Sequence, residues 1–188
     1  ISDDAYGHLC TVTGATWGYQ GRTFDGVNDS IALPDVSSLD ITGNFTFLFW
    51  EKINAAGAYD QYEGLDAAND GIHLLTSTTE ALIVRTYQAG ANQQSYTTNT
   101  LTTGVWNLLG ATLEGASGKI WINAVNVTTV SGNHIAPASS AGAVKYIGQS
   151  GNNTNVLNGI LGEVLIYNRA LSSQEINQIY NSTKWRYQ

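Results

Sequence analysis

The residues best able to do chemistry lie in one stretch, Tyr59-Asp60-Gln61-Tyr62-Glu63-Gly64-Leu65-Asp66-Ala67-Ala68-Asn69-Asp70-Gly71. It packs four carboxylates and two tyrosines into thirteen residues. Asp60, Glu63, Asp66 and Asp70 carry hard oxygen donors of the kind calcium takes. Tyr59 and Tyr62 offer flat faces for stacking on a sugar ring. Spacing by three and then by four suits a loop or a helical turn, and does not fit an EF-hand. The plain alternative is a solvated acidic loop between two strands. No cofactor is required by this pattern, and Ca2+ is the ion it would suit.

Catalytic constellations are missing elsewhere. Glycoside hydrolysis on a β-sheet needs two carboxylates on one strand face, as in Glu-x-Asp or Glu-x-x-x-Glu. Glu51 stands alone after Trp50, and Glu163 has only Gly162 and Val164 beside it, so Glu163 reads as a structural acceptor. No serine sits in a nucleophile-elbow spacing, and His8 with Cys10 makes no specific Cys/His pattern. The three histidines, His8, His73 and His134, lack metal-ligand spacing. An enzyme is not expected.

The elements that must hold such a loop are short β-prone runs divided by Gly, Asn, Asp and Ser. Strands are expected at 11–13, 22–24, 30–33, 45–53, 72–77, 81–87, 95–98, 106–113, 119–122, 125–130, 143–148 and 159–167. So many strands without intervening helices predict an all-β, antiparallel two-sheet sandwich in one domain, residues 1–188. In Phe45-Thr46-Phe47-Leu48-Phe49-Trp50-Glu51 both alternating faces are apolar for part of the length, which predicts a central strand buried on both sides. One helix is expected over 172–182. Ser172 and Glu175 have capping-box spacing, and Ile176, Ile179 and Tyr180 form the apolar stripe behind them.

Three stretches together resemble a laminin-G-like domain of the concanavalin A-like superfamily. They are Phe24-Asp25-Gly26-Val27-Asn28-Asp29-Ser30-Ile31 with Leu39-Asp40-Ile41; Trp106–Thr112 with Gly118–Asn123; and Asn158–Val164 with Ile166-Tyr167-Asn168-Arg169-Ala170-Leu171-Ser172. The resemblance covers roughly residues 3–183 and implies a jelly roll of two packed antiparallel sheets. It also implies a non-catalytic extracellular, cell-surface or virion-surface module for structure, adhesion or assembly, with a glycan-binding lectin-like module as the alternative. Family members often carry Asp before the closing-strand Glu, where it ligates calcium; here that position is Gly162, so that site is not carried over.

Composition narrows the partners. The net charge is −7, charged residues are only 12%, and no basic stripe exists, which excludes electrostatic nucleic-acid binding. No apolar run approaches the roughly 18 residues a membrane span requires. The chain begins at Ile1 and holds no Met, which reads as a processed or excerpted chain. N-glycosylation sequons fall at Asn28, Asn44, Asn126, Asn152 and Asn181. Within residues 1–21 the β-prone run Leu9, Cys10, Thr11, Val12 and Thr13 is either the domain's own first strand or a strand exchanged with a neighbouring copy, giving a homo-oligomer or filament.

Overall fold

A computed structural model describes residues 2–3, 9–79 and 81–188. Among them fifteen strands run in chain order, beginning with β1 (Ser2–Asp3), β2 (Leu9–Thr13), β3 (Thr16–Gly18), β4 (Gly21–Asp25), β5 (Ser30–Leu33), β6 (Phe45–Ile53), β7 (Tyr59–Leu65) and β8 (Gly71–Thr76). Then follow β9 (Leu82–Gln88), β10 (Ala91–Tyr96), β11 (Trp106–Glu114), β12 (Ser117–Ile122), β13 (Val125–Asn126), β14 (Lys145–Ile147) and β15 (Asn158–Tyr167). Among the described residues a single α-helix, α1 (Ser173–Thr183), leads into a 3-10 turn over Lys184–Arg186. The strands form two antiparallel sheets ordered β1-β2-β5-β14-β7-β8-β9-β10 and β13-β12-β11-β6-β15-β4-β3. This is the expected jelly-roll sandwich.

β6 is the middle strand of the seven-stranded sheet, for the reason its alternation implies. Phe45, Phe47 and Phe49 face the other sheet and join the main core with Phe24, Tyr62, Leu74, Val84, Leu109 and Ile120. Leu48 and Trp50 point the opposite way, into a second core under α1 with Trp121, Leu171, Ile176 and Tyr187. There the Trp50 indole lies 4.6 Å from the Tyr187 ring and donates through Nε1 to Thr183 Oγ1 at 2.9 Å. Burying such aromatic side chains contributes roughly 1.5–3 kcal/mol each, so the cover of Trp50 is a main anchor of the helix on the sheet.

α1 begins where its cap predicts. Ser172 Oγ accepts from the Glu175 N–H, and Glu175 Oε2 accepts from the Ser172 N–H at 2.8 Å, so the capping box is complete. β12 and β13 join through Asn123 and Ala124, both in the left-handed region at φ 52° and 64°, which is the two-residue hairpin geometry that matches strand twist.

Two expectations need correction. Tyr59–Leu65 is neither a loop nor a helical turn but a mostly buried strand, β7, between β14 and β8. The run expected over 125–130 is β-paired with β12 only at Val125–Asn126.

Candidate functional site

β7 explains how carboxylates three apart come to share a face. On a regular strand, residues 60 and 63 would point to opposite sides. The pairing of β7 with β8 slips between Asp60 and Tyr62, leaving Gln61 as an extra residue, a β-bulge. Asp60 therefore pairs with Leu75 and Glu63 with His73, all on the outer face of the eight-stranded sheet. Tyr59 pairs with Thr76 and Tyr62 with Leu74, facing the core.

The tyrosines consequently cannot stack on a sugar. Tyr62 is 2% exposed with its ring 4.6 Å from that of Phe47, and burial pushes its hydroxyl well above the usual range. Tyr59 is buried and donates its hydroxyl to Ala55 O at 2.7 Å. The four carboxylates do not gather either. Asp66 Oδ1 accepts from the Ala68 and Asp70 N–H groups and serves the turn into β8, while Asp70 Oδ1 accepts from the Ala89 N–H and ties that turn to the β9–β10 hairpin. Asp60 and Glu63 converge instead on His73, whose Nε2 lies 2.9 Å from Asp60 Oδ1 and 3.9 Å from Glu63 Oε2. Sequence spacing hides this contact, because His73 arrives from the neighbouring strand and only the bulge puts Asp60 on the face that Glu63 and His73 share.

The register extends the site into a row. Ala32 on β5, Tyr146 on β14, Glu63 on β7, His73 on β8, Arg85 on β9 and Gln94 on β10 are successive cross-strand partners. Such partners share a sheet face. Arg85 donates through Nε to Gln94 Oε1 at 3.2 Å. Tyr87, opposite Asn92, and Tyr96, opposite Ile83, flank the row on the same face. The segment after β14 closes one end, with the Gly151 N–H donating to Glu63 Oε1 at 2.7 Å and Asn155 Nδ2 lying 3.3 Å from Asp60 Oδ2.

The other histidine in the described structure is fully occupied. His134 is buried, with Nε2 2.8 Å from Ser95 Oγ and Nδ1 2.9 Å from Thr86 Oγ1. Burial lowers its pKa, which favours the neutral ring. Ser95 is also fully buried, and no carboxylate orients the imidazole, so this Ser–His contact is a packing element of the core. His8 lies outside the described residues.

A laminin G family model of the concanavalin A-like lectin/glucanases superfamily matches residues 25–177. The chain belongs to that family. Comparison with curated proteins finds no match. Among solved structures, this laminin G-like domain superposes on Trypanosoma rangeli sialidase with a TM-score of 0.70 at 19% identity, covering 94% of this chain and 30% of that one. It superposes on the receptor binding domain of botulinum neurotoxin C/D mosaic serotype with a TM-score of 0.72 at 14% identity, covering 95% and 47%. The binding domain of Paraclostridial Mosquitocidal Protein 1 gives 0.71 at 18% identity, covering 95% and 48%. The domain thus spans less than half the length of each of these chains, and the likeness is one of fold.

Within the laminin G-like domain the remaining residues singled out from sequence are dispersed. Asn28, Asn44, Asn126, Asn152 and Asn181 are all exposed. Leu9, Thr11, Val12 and Thr13 lie on β2, which pairs within the chain, Thr11 with Ala32, Val12 with Ile31 and Thr13 with Ser30. Cys10 is buried in the main core and Val12 packs against it. No helix among the described residues is long and apolar enough to cross a membrane.

Proposed function

We propose that this domain is a non-catalytic, extracellular recognition module that binds a carbohydrate on the outer face of its eight-stranded sheet. The observation that carries the reading is the row Tyr146–Glu63–His73–Arg85–Gln94 with Tyr87 and Tyr96 beside it. A sugar presents hydroxyl groups around its rim and C–H groups on its faces. Planar charged and amide side chains match the first, and tyrosine rings match the second. A rigid sheet holds these groups at fixed spacing, which lowers the ordering cost of binding. The likeness in fold to the receptor binding domain of a botulinum neurotoxin and to the binding domain of a mosquitocidal protein supports a recognition role.

Glycan-array screening followed by calorimetry on the best ligand tests this. Arg85→Ala and Tyr146→Ala should each weaken binding at least tenfold while leaving the melting temperature nearly unchanged. A wild-type domain that binds no glycan, or variants that bind as well as wild type, would overturn it.

A second reading, self-assembly or adhesion through a sheet edge, rests on β3. This strand closes the seven-stranded sheet with all three residues exposed, Trp17 at 71%, and no lysine guarding it. Tyr19 and Trp185 are exposed nearby, where Gln20 Nε2 donates to Arg186 O at 3.2 Å. If β3 pairs between copies, light scattering should show oligomers that Thr16→Lys disperses. A wild-type chain that stays monomeric at high concentration removes this reading.

A further inference from the structure

Asp60, Glu63 and His73 aim at a single point. Their ligand atoms all lie within 4.8 Å of one another, with the imidazole Nε2 at 2.9 Å from one carboxylate and 3.9 Å from the other. A hydrogen-bonded His–Asp pair does not account for this arrangement. One imidazole N–H serves one acceptor, so Glu63 adds negative charge beside a fully buried Asp60 without adding a hydrogen bond to the ring. Two carboxylate oxygens and an imidazole nitrogen thus face one another beside a fully buried Asp60, a grouping of oxygen and nitrogen donors suited to holding a cation. The outer oxygens are already employed. Gly151 N–H holds Glu63 Oε1, and Asn155 Nδ2 straddles Asp60, 3.3 Å from Oδ2 and 3.4 Å from Oδ1, while Asp60 Oδ1 and Glu63 Oε2 turn toward His73. Outer-shell donors orient metal-bound carboxylates in this way.

We propose that Asp60, Glu63 and His73 bind a divalent cation of the zinc class. The donor set decides against calcium, which collects six to eight oxygens and gains little from imidazole. Zinc accepts imidazole nitrogen and carboxylate oxygen together, at about 2.0–2.2 Å. Ligand atoms around a tetrahedral ion at that range stand about 3.4 Å apart, between the 2.9 and 3.9 Å separations found here. Three protein donors leave at least one position for water or a ligand oxygen. Glu63 and His73 also belong to the proposed carbohydrate-binding row, so a bound sugar would meet the ion, but the cation site does not rest on the carbohydrate reading.

The test uses the full chain without an affinity tag, stripped with chelator and titrated by calorimetry with Zn2+ and, separately, Ca2+. One Zn2+ per chain is expected, with Ca2+ at least a hundredfold weaker. Glu63→Gln keeps the side-chain size and the acceptor for Gly151 N–H but loses the charge, and should weaken Zn2+ binding at least tenfold. His73→Ala should weaken it further, with circular-dichroism melts confirming that each variant folds. No binding by stripped wild-type protein, equal binding of Ca2+, or unchanged Zn2+ binding in both variants would overturn the proposal. Glycan binding measured on the same stripped sample separates the two readings: lost sugar binding with intact Zn2+ binding strikes the function alone, and the reverse strikes the metal site alone.

Discussion

Glu51 and Gln61 meet between the two sheets, the Gln61 amide donating through Nε2 to Glu51 Oε1 at 3.3 Å. The bulge that turns Asp60 and Glu63 outward is what turns Gln61 inward to make this contact. The pair is incompletely satisfied, since Glu51 Oε2 and Gln61 Oε1 have no hydrogen-bond partner. A proton on Oε2 supplies the donor that an ionised pair lacks. Burial is the main cause raising the Glu51 pKa to about 7, against which the Gln61 hydrogen bond works only in part.

The sign of the pH effect follows. Glu51 binds its proton more tightly folded than unfolded, where its value is 4.5, so stability from this group falls as pH rises from about 4.5 to about 7 and stays low above that. The loss amounts to at most about 3 kcal/mol by the pKa difference. Glu51→Gln should raise the melting temperature at pH 8 and change it little at pH 5. Equal shifts at both pH values would show that Glu51 does not titrate between the folded and unfolded states.

The helix cap offers a local test. Ser172→Ala removes the acceptor for the Glu175 N–H and half of the capping box, and should cost about 1 kcal/mol. Asn177→Ala, exposed on the far side of the helix, should cost almost nothing. Chemical denaturation of the two variants measures both. Equal losses would mean that the cap does not limit the stability of α1.

How much could be read beforehand differs by element for physical reasons. β6 announces itself because Phe45, Phe47 and Phe49 mark one face at a period of two, with Leu48 and Trp50 apolar on the other. α1 announces itself because Ser172 and Glu175 are a cap with fixed spacing. β7 does not, because its polar residues occupy a largely buried strand and the bulge at Gln61 breaks the period of two. Reading the carboxylate spacing as a loop follows directly from that break. The Asp60–Glu63–His73 cluster is hidden more deeply, since it depends on which residue of β8 lies opposite Glu63. β3 is too short, at three residues, to carry any alternation.

Gly162 shows why a carboxylate of the resembled family has no place at this position. The pairing of β15 with β6 slips between Leu161 and Val164, and the Glu163 N–H freed there donates to Tyr187 Oη at 2.9 Å. A Cβ on Gly162 would lie 2.5 Å from Tyr187 Cε1 and 2.6 Å from its hydroxyl. The ring cannot simply swing aside, because it packs against Trp50 and Trp106 at centroid distances of 4.6 and 4.7 Å. Gly162→Asp should therefore overpack this corner, costing about 1–3 kcal/mol and lowering the melting temperature by roughly 2–4 °C per kcal/mol. It should not gain calcium-dependent stability. Because the cost comes from the tyrosine, the same substitution should be markedly less damaging in a Tyr187→Ala background, where the two changes share one space and cannot be additive. A melting temperature for Gly162→Asp that rises with Ca2+, or an undiminished cost beside Tyr187→Ala, would show that the glycine is there for another reason.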